Sequence, residues 1–417
     1  MKLIIHRGTH EIGGTCIRIA TDRTSVLFDA GLPLSPDSEK LSPQALEADA
    51  VVISHPHQDH CGLLDVLPDS MPVHIGQVGK RLLDATRLFL RRQPLRNTFS
   101  YFQAWQPFMV GDIKITPYLV DHSAADAYAF LIESDNRRVI YSGDFRAHGR
   151  KSVLFDSMID NPMRDIDVLL MEGTMMQRDN ADFPTEQSVE NAIADILSSQ
   201  RNISFLISSS QNIDRIVSAY RACLRTGKTL VIDIYSAWVL EQLLLVTSGV
   251  PTIDWKSIKV AFDKPKADVL MDQVNRGLFG SFIDRAIRNR IKVTELTSNP
   301  ERYLMLSKIS GGRFISRFVR DNQPVNVIYS QWQGYLNGEE GESRHIPLIR
   351  AMRAGNSPGV VFTYAHTSGH ATITDLQRFA GAVSAKKLIP VHTEHGHLYS
   401  TYFKNVVPLN DGEHIEL

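Results

Sequence analysis

The chain is poor in cysteine and has no long apolar run, and these shortages exclude several classes of protein. Its three cysteines, Cys16, Cys61 and Cys223, are widely spaced and include no CxxC pair, so we predict neither a disulfide framework nor a cysteine-based zinc knuckle. No segment reaches the roughly 18 apolar residues that a membrane helix needs, and the apolar run before His6 is too short for a signal peptide. We therefore expect a cytoplasmic protein that does not associate with a membrane.

The chain also lacks an excess of either charge. Its 45 lysines and arginines nearly balance 46 aspartates and glutamates, so no overall field draws it to nucleic acid, and any contact with a polyanion must be local. Its 417 residues are too many for one ordinary hydrophobic core. We expect two domains, or one domain that carries a large insertion.

The pattern of apolar residues changes along the chain. The first part has short β-rich runs separated by glycine turns, such as SVLFDAG and AVVISH, and a helical periodicity from Lys80 to Arg96 that Pro94 ends. After Glu172, helical and strand patterns alternate, which is typical of a parallel α/β unit. Since no low-complexity or Pro/Ser-rich linker is present, the second unit is predicted to be inserted into the first.

The stretch VVISHPHQDHCG has three histidines and an aspartate directly after an apolar run. In an extended segment, side chains two residues apart project the same way, so His55 and His57 can reach one point. Asp59 and His60 follow in a predicted turn and can reach a second point nearby. Because imidazole and carboxylate suit Zn²⁺ or Mn²⁺, the stretch predicts ligands for two metal sites. The alternatives are a polar loop and a single structural metal site.

Four more polar residues stand at the ends of predicted strands. They are Asp29, His122, Asp144 and His392. In a layered α/β fold, strand ends at one edge converge on a common crevice. These residues therefore favour a metal centre over an isolated polar loop.

The motifs resemble those of the metallo-β-lactamase superfamily. SHPHQDH matches the HxHxDH motif, and the order Asp29, HxHxDH, His122, Asp144 is the motif order of that superfamily. The resemblance implies an α/β fold, the αββα metallo-β-lactamase sandwich, with a dinuclear metal site. It also implies that Asp29 orients a ligand imidazole from behind.

The resemblance assigns the metal ligands to two ions. The first ion is held by His55, His57 and His122, the second by Asp59, His60 and His392, and Asp144 bridges both. The ions are expected to be Zn²⁺, with Mn²⁺ as the alternative.

The long insertion after LLMEGT resembles the β-CASP nucleases, a group with ribonuclease J in which a second α/β domain interrupts and roofs the metal-binding domain. The additional motifs of that group match Glu172 in MEGT, His370 in HTSGHA and His392 in PVHTEH. The resemblance implies a metallo-β-lactamase domain in two parts, 1–175 and 358–417, and an inserted α/β β-CASP domain at 176–357. The acidic motif of the group is often followed by Ser-Thr, whereas this sequence reads EGT.

The resemblance implies a metal-dependent phosphodiester hydrolase. Two divalent ions would activate a water for attack on the phosphodiester. Asp59, Glu172 and His370 are the expected catalytic residues, with His370 assisting the leaving oxygen and Glu172 holding its imidazole. The RNA-acting members of this group have histidine at the last motif, as this sequence does at His392. The expected substrate and partner is therefore single-stranded RNA.

Substrate phosphates need donors besides the metal ions. The segment SSSQN lies between a predicted strand and a predicted helix, where hydroxyls and helix N-terminal amides bind anions, and HTSGH is expected to face the same crevice. The candidate phosphate-binding residues are Ser208, Ser209, Ser210, Asn212, Ser368 and His370. Ordinary helix capping by Ser210 or Asn212 is the alternative.

Three other functions stay open. One is a hydrolase of a small nucleotide or another small ester or lactone, one is a DNA-acting nuclease of the same fold, and one is an inactive scaffold subunit. An inserted roofing domain favours a polymer substrate, and the intact ligands argue against an inactive subunit. Cleavage from an end or from within, and the oligomeric state, are not implied.

Overall fold

A computed structural model of the chain describes residues 1–35, 37–272, 277–320, 324–337 and 345–417. The described chain forms two compact units. The first consists of Met1–Leu83, Pro94–Asp179 and Gly369–Leu417, and the second consists of Asp84–Gln93 and Asn180–Ser368.

The strands are numbered in chain order. They are β1 Lys2–Arg7, β2 Cys16–Ala20, β3 Ser25–Phe28, β4 Ala50–Val52, β5 Val73–Gly76, β6 Phe99–Phe102, β7 Phe108–Val110, β8 Ile113–Leu119, β9 Tyr128–Ser134, β10 Arg137–Tyr141, β11 Val168–Glu172, β12 Ile203–Ile207, β13 Thr229–Asp233, β14 Ile258–Ala261, β15 Tyr303–Ser307, β16 Val325–Tyr329, β17 Val360–Tyr364, β18 Lys387–Val391 and β19 His414–Glu416.

The helices of the described residues are named by their bounds. The α-helices are Gln58–Cys61, Gln77–Phe89, Ser152–Asp160, Glu186–Ser199, Ile213–Arg225, Ile234–Leu243, Lys264–Met271, Phe282–Arg288, Val293–Ser298, Gly312–Arg320, Gly334–Asn337, Ile346–Arg353, Ile373–Val383 and Tyr399–Tyr402. The short 3₁₀ segments are Pro43–Leu46, Gly62–Asp65, Pro300–Arg302, Ile309–Gly311 and Gly396–Leu398. Within the described ranges, none of these helices combines the length and the apolar character that crossing a membrane requires.

The first unit is an αββα sandwich. One sheet has the order β19-β1-β2-β3-β4-β5-β6, and the other has the order β18-β11-β10-β9-β8-β7. Side chains from both sheets share one buried cluster, in which the rings of Phe28 and Phe130 lie 5.7 Å apart. The outer face of the second sheet packs against helices Ser152–Asp160 and Ile373–Val383, while Leu83 and other apolar residues cover that of the first. The predicted fold class is confirmed.

The second unit has one parallel sheet, with the order β14-β13-β15-β12-β16-β17. Every residue of β12 is buried, as expected for a parallel strand covered on both faces. Helices Gly312–Arg320 and Ile346–Arg353 contribute to the apolar cluster on one face, and helix Ile213–Arg225 lies against β13 and β15. The helix-strand alternation read from the sequence thus forms a layered α/β unit.

Three segments lie in a different unit from the one that the predicted division gave them, and one of these, 176–179, lies in the first unit. Asp84–Gln93 belongs to the second unit, because Phe89 packs against Tyr235 and Phe279 with ring centroids 5.3 and 6.2 Å apart. Residues 358–368 also belong to the second unit, because β17 pairs in parallel with β16.

The helix predicted from Lys80 to Arg96 is shorter in the structure and ends at Phe89, well before Pro94. Arg91 adopts a left-handed φ of 55°, and the Arg92 N–H donates to the Arg87 carbonyl at 2.9 Å. This is the hydrogen bond of a left-handed helix C-terminus, usually built on glycine. The local cap, rather than the proline, therefore ends the helix.

Candidate metal centre

The HxHxDH stretch lies where β4 ends. Ser54 and His55 are buried in the connection after the strand, and His57 is the N-terminal cap residue of helix Gln58–Cys61. Asp59 and His60 therefore lie on the first turn of a short helix rather than in the predicted turn. The change from extended backbone to helix separates the two pairs of side chains, which join two different clusters.

Three imidazoles converge in the first cluster. The Nε2 atom of His55 is 3.0 Å from His57 Nδ1, which is 3.4 Å from His122 Nε2. Two nitrogens bound at about 2.0–2.1 Å to a tetrahedral Zn²⁺ are about 3.3 Å apart, so these separations suit one shared cation. His122 Nδ1 donates to the Gly369 carbonyl at 2.7 Å, which leaves its Nε2 as the lone-pair nitrogen.

The second cluster is more open and contains Asp59, His60 and His392. Asp59 Oδ2 lies 3.9 Å from the Nε2 atom of each of the two imidazoles. The side chain of Asp59 is 19% exposed, whereas both imidazoles are buried. Asp59 therefore stands on the accessible side of the cluster.

Asp144 lies between the two clusters. Its Oδ2 atom is 3.7 Å from His55 Nε2, 3.1 Å from His60 Nε2 and 3.8 Å from His392 Nε2. It thus approaches nitrogens of both clusters, which is the position expected of a bridging carboxylate. Asp144 Oδ1 and the Nε2 atoms of His60 and His392 are buried without a hydrogen-bond partner among the described residues. Burying such atoms without a hydrogen-bond partner is unfavourable. A cation bound between them would accept their lone pairs, so the cluster fits a cation.

The protonation of the imidazoles also suits a cation. Burial lowers the pKa of four of them and favours the neutral ring with a lone pair, which is the form that binds metal. These four are His55, His57, His122 and His392.

Asp144 and His60 are charged partners. Burial opposes ionisation of Asp144, but His392 and His60 outweigh it and hold the pKa of this carboxyl well below its usual value. Burial also opposes a charge on His60, yet Asp144 and Asp29 raise its pKa well above the usual value. The excess of carboxylate around His60 is what a divalent cation would neutralise.

Asp29 holds His60 from behind. Its fully buried carboxylate accepts hydrogen bonds from His60 Nδ1 at 2.7 Å, from the Ser54 N–H and Oγ at 2.7 Å each, and from Tyr141 Oη at 2.6 Å. Because Nδ1 donates to Asp29, Nε2 is the ring nitrogen of His60 that faces Asp144 and would bind a cation after losing its proton. Sequence reasoning missed Ser54 and Tyr141. Only Ser54, beside His55, had a signal in the sequence.

His392 is oriented by Thr15, which sequence reasoning also missed. The fully buried Thr15 Oγ1 lies 2.7 Å from His392 Nδ1, on the opposite side of the ring from Nε2. His392 and Asp29 both adopt left-handed backbone, with φ of 50° and 60°. Such conformations are uncommon outside glycine and concentrate at functional sites, where surrounding contacts hold them.

Glu172 and His370 form a pair beside the clusters. His370 Nδ1 lies 3.0 Å from Glu172 Oε2 and 3.8 Å from Asp144 Oδ2. The buried Glu172 also accepts the N–H groups of Phe145 at 3.1 Å and Thr174 at 3.3 Å, which fix its carboxylate. Burial opposes a charge on His370, but Glu172 and Asp144 raise its pKa to about 9.

Gly173 explains why the acidic motif reads EGT. Tyr399 is buried, and its Oη donates to the Glu172 carbonyl at 2.7 Å. A Cβ atom at Gly173 would collide with that hydroxyl and come within 3.0 Å of Thr393 Cβ. The tyrosine therefore occupies the space that a serine side chain would need after Glu172.

The remaining predicted phosphate ligands lie in the second unit. They are Ser208, Ser209, Ser210, Asn212 and Ser368. The Asn212 side chain accepts the Arg215 N–H at 3.0 Å and caps helix Ile213–Arg225, which is the alternative that the sequence left open. Ser210 Oγ accepts a hydrogen bond from Ser236 Oγ at 2.8 Å. Phosphate binding by these five residues stays a prediction.

Two family models match this chain. One, described as a Beta-lactamase superfamily domain, matches residues 24–201, which include the HxHxDH stretch, His122 and Asp144. The other, described as a Zn-dependent metallo-hydrolase RNA specificity domain, matches residues 359–403, which include His370 and His392. Together with the His/Asp clusters, these matches support divalent metal binding.

Curated relatives match most of the chain at low identity. Ribonuclease J of Mycoplasma pneumoniae is 22% identical over 94% of this chain and 68% of its own length. Ribonuclease J of Sinorhizobium meliloti is 24% identical over 87% of this chain and 61% of its own length. The RNase J-like protein of Methanocaldococcus jannaschii is 25% identical over 62% of this chain and 63% of its own length. The chain therefore spans about two thirds of the length of these relatives.

One solved structure shares the fold over the full length. It is a crystal structure of a protein of unknown function from Enterococcus faecalis V583, with a TM-score of 0.76 and 19% sequence identity. The match covers 100% of this chain and 99% of that chain.

Proposed function

We propose that this chain, a ribonuclease J-like protein of the metallo-β-lactamase superfamily, β-CASP branch, is a metal-dependent ribonuclease that cleaves single-stranded RNA. The proposal includes two divalent ions per chain, Zn²⁺ in the first place and Mn²⁺ as the alternative. We place its activity in the cytoplasm, a location supported by Cys16, Cys61 and Cys223, which are all buried and form no disulfide bond with one another.

The position of Asp144 carries this proposal. A single oxygen of this carboxylate approaches His55 of the first cluster and His60 and His392 of the second. One structural metal site needs only one cluster and no carboxylate between two of them. Two clusters joined by one carboxylate are instead the arrangement that dinuclear hydrolases use.

The ligands would be divided between the ions as the sequence motifs imply. His55, His57 and His122 would hold one ion, Asp59, His60 and His392 the other, and Asp144 both. When bound, such a pair supplies an activated water at neutral pH and neutralises charge on the phosphate oxygens.

The protein groups around the ions would position the substrate and move a proton. His370, held through Nδ1 by Glu172, would present Nε2 to the leaving oxygen of the scissile phosphodiester and donate a proton to it. Glu172 is a positioning residue in this scheme, because its carboxylate fixes the imidazole and is itself fixed by two backbone N–H groups. Asp59, on the accessible side, would contact the attacking water as well as an ion.

RNA is favoured over the alternative substrates. Residues 359–403 match a family described by RNA specificity, and the curated relatives that cover most of the chain are ribonucleases by name. The histidine at the last motif, His392, also favours RNA as the substrate. Nothing in the site favours a small ester, a lactone or DNA.

The test is a cleavage assay on the purified full chain with Zn²⁺ or Mn²⁺. The chain should degrade an end-labelled single-stranded oligoribonucleotide, and His60→Ala should abolish cleavage and lower the metal content measured by elemental analysis. His10→Ala is the matched control, since His10 is an exposed histidine of the same unit, and its Nε2 atom lies 2.8 Å from Asn410 Oδ1. Equal cleavage by the wild type and His60→Ala would refute the mechanism.

The substrate class needs a separate comparison. RNA, single-stranded DNA of the same sequence and a chromogenic phosphodiester should be compared under identical conditions, and RNA is expected to be cleaved fastest. If the chromogenic ester or DNA is cleaved faster than RNA, the proposed ribonuclease function is wrong and the corresponding alternative function is supported. The product ladder of a long end-labelled RNA will distinguish cleavage from an end and from within.

A further inference from the structure

Aromatic rings fix helix Gly312–Arg320 of the second unit to its sheet. The ring centroids of Phe314 and Phe318 lie 5.2 Å apart, and both rings pack against Phe205 of β12, at 6.2 and 5.5 Å. Ile315 is fully buried in the same apolar cluster. These residues occupy one side of the helix, so the side chains on its other side project from a well-packed element.

The other side of this helix carries three arginines, and the helix contains no acidic residue. Arg313, Arg317 and Arg320 stand at positions i, i+4 and i+7. With 3.6 residues per turn, they lie within about 60° of one another around the helix and span about 10 Å along its axis. All three are exposed. We call these three residues the arginine stripe.

The arginine stripe has no carboxylate partner among the residues that the structure describes. Arginines on other helices of the same unit do have one, since Arg225 contacts Glu190 at 3.1 Å and Arg285 contacts Glu241. The solvent-exposed face of a helix usually mixes both charges, so that side chains one turn apart attract each other. The arginine stripe therefore differs from an ordinary solvated helix face.

The arrangement is also electrostatically unfavourable in the free protein. Arg317 lies one turn from both Arg313 and Arg320, and like charges at these spacings repel each other. Arg313 also stands in the first turn, where the helix dipole disfavours a cation. Like charges held together at the expense of stability indicate a surface that binds a ligand of opposite charge.

The chemistry of the arginine stripe favours a chain of phosphates as this ligand. Three cations spread along about 10 Å of a helix can each contact a different phosphate of one strand, as the charged surfaces that bind single-stranded nucleic acids do. Guanidinium groups also bind phosphate through two parallel hydrogen bonds, a geometry that lysine does not offer. The net charge of the whole chain is only -1, so such a local patch can attract a polyanion.

We propose that the arginine stripe is a docking surface for the phosphate backbone of single-stranded RNA, separate from the metal clusters. The stripe lies in the second unit, and all the expected metal ligands lie in the first. The proposal deepens the proposed function and rests on it for the choice of RNA as the polyanion. An acidic protein would present carboxylates to the same arginines, so the experiment includes a carboxylate polymer.

The experiment measures binding without cleavage. The full chain, in buffer without divalent ions, is titrated into a fluorescent single-stranded oligoribonucleotide at several salt concentrations, and separately into fluorescent poly-glutamate. The stripe variant combines Arg313→Gln, Arg317→Gln and Arg320→Gln. The matched control loses the same charge at three exposed arginines that are scattered over other segments of the same unit, through Arg201→Gln, Arg288→Gln and Arg302→Gln.

We expect the stripe variant to bind the oligonucleotide about tenfold more weakly and to reduce the slope of log K against log salt by about 2, because each strand phosphate contact contributes about 0.7. The control should change both quantities much less. Lysine at all three positions should keep most of the slope but lose part of the affinity, because it keeps the charge without the paired hydrogen bonds. Equal affinities and slopes of the stripe variant and the control would overturn the proposal, as would an effect confined to poly-glutamate.

Thermal unfolding separates loss of the surface from loss of the fold. Removal of like charges should leave the unfolding temperature of the stripe variant at or above that of the wild type. If the temperature falls instead, the single change Arg317→Gln decides, with an expected decrease of the slope by about 0.7. An unchanged slope in that variant would overturn the proposal.

The outcome is distinguishable from failure of the proposed function, because it is read from binding. Wild-type protein that binds RNA through the arginine stripe but never cleaves it would refute the ribonuclease and keep the surface. Wild-type protein that cleaves RNA, with a stripe variant that binds RNA as tightly as the control, would refute the surface alone.

Discussion

Both units place polar side chains directly after the carboxyl ends of their strands. The side chains of the first unit suit a positively charged ligand, and those of the second suit a negatively charged one. In the first unit, the carboxyl ends of β4, β8, β10 and β18 are followed by imidazoles and carboxylates, and several of their buried nitrogen and oxygen atoms lack a hydrogen bond within the described ranges. In the second unit, β12 is followed by Ser208, whose buried hydroxyl lacks a hydrogen bond within the described ranges, and β15 is followed by Lys308, whose ammonium group lies 4.2 Å from the ring centroid of Tyr235. The first edge suits cations, and the second suits an anion.

The difference shows that strand ends determine where ligands bind, while the side chains determine what binds. Both edges follow the rule for layered α/β sheets. Burial acts differently at each edge, because it favours neutral imidazole, a metal ligand, but disfavours a charged lysine until an anion is present. Variants of the two edges should therefore separate into those that change metal content and those that change phosphate binding.

The largest effect is expected for Asp144→Asn. The amide lacks the negative charge that both clusters face, so metal content and RNA cleavage should both be lost, while RNA binding at the second edge should persist. Elemental analysis and the cleavage assay measure this, with the exposed Asp69→Asn as control. If Asp144→Asn keeps both its metal content and its cleavage activity, the strand ends of the first unit do not depend on this carboxylate to bind cations, and the contrast between the two edges is wrong.

A smaller effect is expected for His370→Ala. General acid catalysis is typically worth about 10²–10⁴ in rate, so kcat should fall within this range while metal content and KM change little. Single-turnover kinetics on labelled RNA give the rate. If the variant instead loses metal, His370 is a ligand, as its place in a cluster with His122 and Asp144 also permits.

The residues behind the ligands should have an intermediate effect on metal affinity. Asp29→Asn removes the charge that holds His60 Nδ1, and Thr15→Val removes the oxygen that faces His392 Nδ1. Removal of such partners typically weakens metal binding about 10–100-fold. Competition with a metal-binding dye measures the affinity, and an unchanged value for both variants would show that the imidazoles need no such support.

The metal clusters could be predicted from the sequence because their signal is local. His55, His57, Asp59 and His60 stand within one short stretch, and the strand ends with Asp29, His122, Asp144 and His392 are recognisable by pattern. The structure brings all of them together except Asp29, which lies behind His60 and contacts its Nδ1 atom.

The remaining contacts could not be predicted, because they join residues far apart in sequence through single hydroxyls. Thr15 reaches His392, and Tyr141 reaches Asp29, with nothing in the local pattern to indicate either contact. Asp84–Gln93 belongs to the second unit because Phe89 packs against residues far away in sequence. The periodicity of apolar residues along the helix does not reveal such packing. Similarly, helix Gln77–Phe89 ends because Arg91 adopts a left-handed conformation, whereas the sequence predicted that Pro94 ends it.

A modest effect on stability is expected for Gly173→Ser. The added side chain collides with the Tyr399 hydroxyl, so the thermal unfolding temperature should fall and the Glu172 carboxylate should shift relative to His370. Tyr399→Phe removes the colliding oxygen, so the serine should cost less in that background. A double-mutant cycle by thermal unfolding measures this coupling, and strictly additive losses would contradict the steric explanation.

The smallest effect is expected for Lys308→Met. Only binding should change, about three- to tenfold, while cleavage at saturating RNA and metal content stay at the wild-type level. Loss of metal content in this variant would show that the two edges are not independent.

The central claim is a pair of divalent ions held by two clusters that share Asp144. The most direct measurement is the metal content of purified wild type and His392→Ala by elemental analysis, paired with RNA cleavage by the same samples. We predict two ions per chain in the wild type, about one in His392→Ala, and cleavage only in the wild type. Wild-type protein that cleaves RNA while holding a single ion, or none, would contradict the account.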